Sequence, residues 1–258
     1  MSKSLHSLDD HVQEILEARR RTQSVRFQPV APGTERVADV LANACASVAE
    51  AFVDCGFKWS KSGLHFSRKA GLFRHVISFQ ADRANFSGAH VGVSIHVQAK
   101  SADLAKWREA DGVTTGDNLW ITQIGYLPPA HEYLKWQLVD ATTRAAEVRS
   151  MISTIRERAL PALAVCSNKE SLAAQLLDRP EMTWIPDWAV DIALWVGNTG
   201  AADVLLGRKL KSRPDLLPHF NKYWGMEAAA PSTSRPADRL HCLAWAARKH
   251  GLSVPSTT

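Results

Sequence analysis

The sequence predicts an α+β fold: an antiparallel sheet of about five strands flanked by helices, with a helical C-terminal extension. Three observations carry that prediction. Strand-like alternation of apolar and polar residues is confined to 57–140, and three- and four-residue apolar spacing lies on both sides of it. The order is helix, strands, helices, which differs from the strand–helix alternation of a parallel sheet. The third is the clearest strand, 90–99. There Val91, Val93, Ile95 and Val97 form one face, and His90, Gly92, Ser94, His96 and Gln98 form the other.

The elements follow in order. Ser7 with Asp9 and Asp10 starts a helix, Leu8, Val12, Ile15 and Leu16 give it an apolar stripe, and Arg19, Arg20 and Arg21 suit its C-terminus. A second helix is expected over 34–55, from the spacing of Val37, Val40, Leu41, Ala44, Val48 and Phe52, with Gly56 as its cap. The "KSG" and "KAG" turns then separate two or three strands. Segment 101–110 is a short helix or lid, and 118–127 and 132–140 are further strands joined by "PPAH". Beyond Asp140 the pattern is helical. Ala145, Val148, Ile152, Ile155 and Leu163 form one stripe, and Asn168 or Ser167 caps the next helix. Four more helices are expected near 186–197, 200–212, 214–224 and 236–250. Residues 227–236 read as a loop and the last six as a tail. The resulting division is an N-terminal helix and linker (1–32), an α+β domain (33–178) and a helical region (179–258) able to pack on the same core.

The 258 residues are 45% hydrophobic and 22% charged, an ordinary globular composition. Four cysteines without a CxxC pair indicate reduced thiols of an intracellular protein. With no leader pattern at the N-terminus and no apolar run of about 18 residues, a cytoplasmic protein without a membrane span is expected. A net charge of +5 favours acidic partners, yet falls short of the clustered charge of a dedicated nucleic-acid binder.

Over 33–178 the chain resembles a bacterial domain-of-unknown-function family, number 4304. The resemblance lies in Gly56-Phe57-Lys58, Phe66-Ser67-Arg68, Ile77-Ser78-Phe79-Gln80, the strand at Trp136 and the "RALPAL" helix at 158–163. It implies a small antiparallel sheet flanked by helices, and a place in bacterial conflict systems as a toxin-immunity protein. The family has no established catalytic residues to carry over.

Candidate chemistry is sparse. His65, His75, His90 and His96 stud one hairpin, but no HxH or HExxH spacing and no nearby cysteine accompanies them. A metal site needs three or four converging ligands, so a solvated or hydrogen-bonded face is the simpler reading. No nucleophile elbow, Walker lysine or GxGxxG loop is present. No catalytic residue, metal or cofactor is therefore expected. Lys58, Lys61, Arg68, Lys69, Arg74 and Arg83 lie on adjacent short strands, interleaved with Trp59, Phe66 and Phe86. Such a basic face suits an acidic protein or nucleic acid, and is otherwise a solvated surface. Asp187 and Asp191 share a helix face, where they either clamp a cation or favour the helix start. Trp184, Trp188 and Trp195 form a stripe suited to core packing, or to anchoring a partner where exposed.

The expected function is a non-enzymatic cytoplasmic protein-binding domain, of the immunity type, that neutralises a bacterial toxin or effector by steric blocking. Its candidate partner-binding residues are Lys58, Trp59, Arg68, Arg74, Arg83, His90, His96, Trp184 and Trp188. The alternative is a nucleic-acid-associated component of a bacterial defence system.

Overall fold

Val40, Leu41, Ala44, Cys45, Val48 and Ala49 recur along one stripe of helix α1 (Val37–Glu50), and that stripe is buried. The helix stops at Glu50, short of the expected Cys55. Phe52 leaves the helical region (φ −121°, ψ 8°), and a single 3-10 turn, Val53–Cys55, follows before Gly56 caps it at φ +80°. Tertiary packing overrides the helical pattern here, because Phe52 is fully buried and stacks on Phe66 with ring centroids 5.5 Å apart. The computed structural model describes residues 35–111, 116–129, 131–178, 186–226 and 239–253. The helix expected over 7–21, Trp184, the loop at 227–236 and the tail at 254–258 lie outside these.

The sheet is antiparallel in the order β1 (Lys58–Ser60), β2 (His65–Ala70), β3 (Phe73–Ala81), β4 (Gly92–Lys100), β5 (Asn118–Gln123). A two-residue strand β6 (Trp136–Gln137) pairs with the start of β4. Two strand expectations contract. β5 ends at Gln123, whose side-chain carbonyl accepts from Gly125 N at 2.7 Å and turns the chain into a 3-10 turn. Segment 132–140 keeps only the β6 pairing. It follows two prolines without N–H donors, and the Leu134 carbonyl is taken by the Gln123 amide instead of a strand.

Parity along the pleat sorts the sheet into two faces. Phe66, Phe73, His75, Ile77, Phe79, Ile95, Val97 and Trp120 share the face on which the helices pack. Phe66 meets Phe52 after α1, Phe73 meets Trp195 at 5.9 Å, and Trp120 Nε1 donates to Cys166 Sγ at 3.3 Å. The helices after the first are α2 (Ala102–Asp111), α3 (Arg144–Thr154), α4 (Leu160–Ala164), α5 (Lys169–Gln175), α6 (Pro186–Trp195), α7 (Thr199–Ser212), α8 (Leu217–Trp224) and α9 (Arg239–Lys249), of which α7 and α9 pack on α6, and α8 on α9. A π-helical turn, Ile155–Ala159, joins α3 to α4. It directly precedes Pro161, which lacks an N–H and crowds the carbonyl four residues back, so the widened turn relieves both conflicts. Asn168 caps α5 by accepting from Ser171 N at 2.7 Å. Glu35–Thr258 forms one compact unit whose core runs continuously from Val40 to Leu252.

One buried ion pair crosses this core. Arg108 on α2 and Asp191 on α6 are each 1% exposed, and Arg108 Nε donates to Asp191 Oδ2 at 2.7 Å. Arg108 Nη1 also donates to the carbonyls of Gly116 and Asn118, at 2.9 and 2.8 Å. Asp191 thus does hold a cation, an internal one. Burial outweighs the guanidinium and pushes the Asp191 carboxyl up to about 6.

Candidate functional site

The site grows from one tight turn. Ala70 pairs with Phe73, so only Gly71 and Leu72 connect β2 to β3. Gly71 takes φ +59° at the first turn position, where a primed hairpin turn favours glycine. A two-residue turn fixes the register, and Lys69 therefore stands opposite Arg74. Arg74 in turn stands opposite Lys100 on β4. Three cations thus form a transverse row across three strands, with neighbouring Cβ atoms about 5 Å apart. Lys58 pairs with Ser67, two residues from Lys69 and on the same face, and extends the row diagonally.

Like charges directly opposite each other mildly destabilise a sheet, and a nearby anion relieves the repulsion. The row's internal compensation is thin. Lys100 lies 3.4 Å from Asp117, and Arg74 Nη2 donates to Ser67 Oγ at 3.3 Å. Among the described residues no carboxylate pairs with Lys58, Lys69 or Arg74 within ion-pair distance. The four cations line a surface depression of about 500 Å³ together with Ser67, Leu72, Ala102 and Asp117. Leu72, at the turn, is 53% exposed. Ala102 is the first residue of α2, so the helix start also borders the depression.

Arg68 lines the same depression but is committed elsewhere. It belongs to the helix-covered face, where its guanidinium lies 4.7 Å from the Phe57 ring centroid and Nη1 donates to the Cys55 carbonyl at 3.0 Å. Arg68 Nε donates to His75 Nδ1 at 3.2 Å, and His75 Nε2 lies 2.9 Å from the Cys166 carbonyl. With Nδ1 accepting, Nε2 must carry the proton and donate to that carbonyl. Burial first, and the Arg68 charge besides, lower the His75 pKa against the opposing pull of the Cys166 carbonyl. His75 is a neutral core histidine that fixes Arg68 as part of the wall.

The other sequence candidates disperse. Arg83 and His90 lie at the opposite end of β3 and β4. There His90 Nε2 and Lys135 Nζ both reach Asp82 Oδ2, at 3.1 and 2.5 Å, and the Lys135 bond is the largest cause holding that carboxyl far below its usual range. Asn85 locks this turn from both sides of Gly92, accepting from its N–H at 2.6 Å and donating to its carbonyl at 3.0 Å. His96 sits mid-sheet on the polar face, half-buried, and that burial lowers its pKa. Trp59 packs edge-on against Phe79 and Phe66 is fully buried, so neither forms a free stacking platform beside the cations. Trp188 falls on α6, and Trp195, on the same helix, is core at 6% exposure.

Of the nine partner-binding candidates, the sheet brings together Lys58 and Arg74, neither of which has a carboxylate partner among the described residues, with Arg68 behind them. Lys100, Ser67 and Leu72 are additions. The "KAG" turn held the signal for part of this, since a two-residue turn obliges Lys69 to face Arg74. Lys100 joins only through a strand more than twenty residues away. Among the described residues no three histidine, cysteine or acidic side chains are placed to hold a metal ion, and no helix is long and apolar enough to cross a membrane. No family model, curated protein or solved structure matches the chain, so the family resemblance rests on its short motifs alone.

Proposed function

We propose that this chain is a non-enzymatic protein-binding domain that seats an acidic partner on the cation-lined end of its sheet. The observation that carries this is the Lys69–Arg74–Lys100 row, like charges held in register and, among the described residues, compensated by a carboxylate only at Lys100. A partner's carboxylates relieve that repulsion on docking and gain charge-assisted hydrogen bonds. Leu72 supplies an exposed apolar contact inside the charged rim, a combination that fits a protein surface better than a phosphodiester chain. The partner class implied by the family resemblance is a toxin or effector, neutralised by being covered. The surface itself requires only that the contact face be acidic.

The test is capture by the immobilised full chain, with and without nuclease, comparing the natural sequence with a Lys69→Glu, Arg74→Glu variant. A stoichiometric protein that survives nuclease and is lost on charge reversal is the expected result. Capture of nucleic acid alone, falling steeply with salt, would move the assignment to a nucleic-acid-associated protein. Partner retention indifferent to charge reversal would remove the row from the interface.

A further inference from the structure

We propose, building on the acidic-partner assignment, that the depression at the β2–β3 turn takes a phosphorylated side chain of that partner. Four cations line it, Lys58, Lys69, Arg74 and Lys100, against one lining carboxylate, Asp117. A single carboxylate brings one negative charge and two oxygens. A phosphomonoester brings close to two charges and three strong acceptor oxygens, which matches three cations converging from adjacent strands. Arg74 suits that role best. Its guanidinium is oriented by Ser67 Oγ at 3.3 Å, which leaves its other N–H groups for a tetrahedral oxyanion.

Three further features fit the same ligand. Ala102 begins a ten-residue helix at the edge of the depression, so the positive end of that helix dipole adds to the cations. Arg68, fixed by Phe57, Cys55 and His75, keeps a positive charge in the wall without competing for the ligand's oxygens. Leu72 at the rim offers a contact for an apolar residue beside the phosphate, which a free phosphate ion does not use.

The experiment is a backbone-amide NMR titration of the ¹⁵N-labelled full chain with O-phospho-L-serine, inorganic phosphate, L-glutamate and a single-stranded RNA 10-mer. The expected result is saturable shifts confined to Ser67–Arg74 and Lys100–Asp103, with O-phospho-L-serine binding about tenfold tighter than glutamate and tighter than inorganic phosphate. Arg74→Gln should weaken phosphoserine binding about tenfold with the rest of the spectrum unchanged, whereas Lys61→Gln, outside the depression, should leave it as it was. Equal shifts from glutamate and phosphoserine would overturn the phosphate inference and leave the acidic-partner assignment standing. Inorganic phosphate binding as tightly as phosphoserine would make the site one for the free ion. No shifts at Ser67–Arg74 from any of the acids would overturn both, as would RNA binding tighter than all of them.

Discussion

Two regions of this molecule use arginine in opposite ways. Arg108, between α2 and α6, is 1% exposed and is bonded to Asp191, Gly116 and Asn118. Arg74, on the β2–β3 hairpin, faces outward between two lysines and, among the described residues, is oriented by a serine hydroxyl alone. The first cation is dry and matched to an internal anion; the second is wet and in register with its own kind. A buried charge without a partner costs several kcal/mol, so folding selects the first arrangement. An exposed charge costs little, so folding leaves the second free for a partner outside the chain.

The largest expected effect comes from breaking the dry pair. Arg108→Ala strands the Asp191 carboxylate in the core and should lower stability by about 3–5 kcal/mol in denaturant unfolding. A compensated double change, Arg108→Met with Asp191→Leu, should recover most of that loss, because desolvation offsets much of the pair's attraction. If the single and double variants unfold alike, the region matters through volume alone.

The same pair gives a pH dependence with a definite sign. Folding raises the Asp191 carboxyl from an ordinary 3.8 to about 6, so the native state holds its proton more tightly than the unfolded chain. That contribution to stability is fully present below about 4 and is lost as pH rises through about 6. The difference in melting temperature between the natural protein and Asp191→Asn should therefore move against the natural protein from pH 4 to pH 6.5. A difference independent of pH would mean that Asp191 does not titrate in that window.

Smaller effects belong to the ends of the sheet. Asp82→Asn leaves Lys135 and His90 without their shared anion and should cost about 1 kcal/mol, in keeping with partly exposed pairs. At the cation row the sign reverses. Lys69→Gln removes a repulsion across the strands and should stabilise the fold by about 0.2–0.5 kcal/mol while weakening partner binding. Gain of stability with loss of binding is the signature of a surface shaped for a partner. If Lys69→Gln destabilises, the row is compensated within the chain and the contrast with Arg108 disappears.

Much of the architecture was legible in the residue pattern because periodicity is local. Val91 to Val97 alternate whatever surrounds them, the α1 stripe repeats at helical spacing, and Gly71 marks its turn unaided. The candidate site was legible only in part. Lys58, Arg68, Arg74 and Arg83 are alike as cations, yet Arg68 turns to the core face, Arg83 falls at the far end, and Lys58 and Arg74 line one depression with Lys100. His75 and Cys166 are 91 positions apart, and Arg108 and Asp191 are 83 apart.

The sequence by itself therefore determined the fold class, the faces of the central strands and the tight hairpin, all set by backbone geometry and side-chain period. Only the tertiary structure decided which charges are spent inside and which face out. That choice depends on desolvation and on partners brought together by packing, and no local pattern records either.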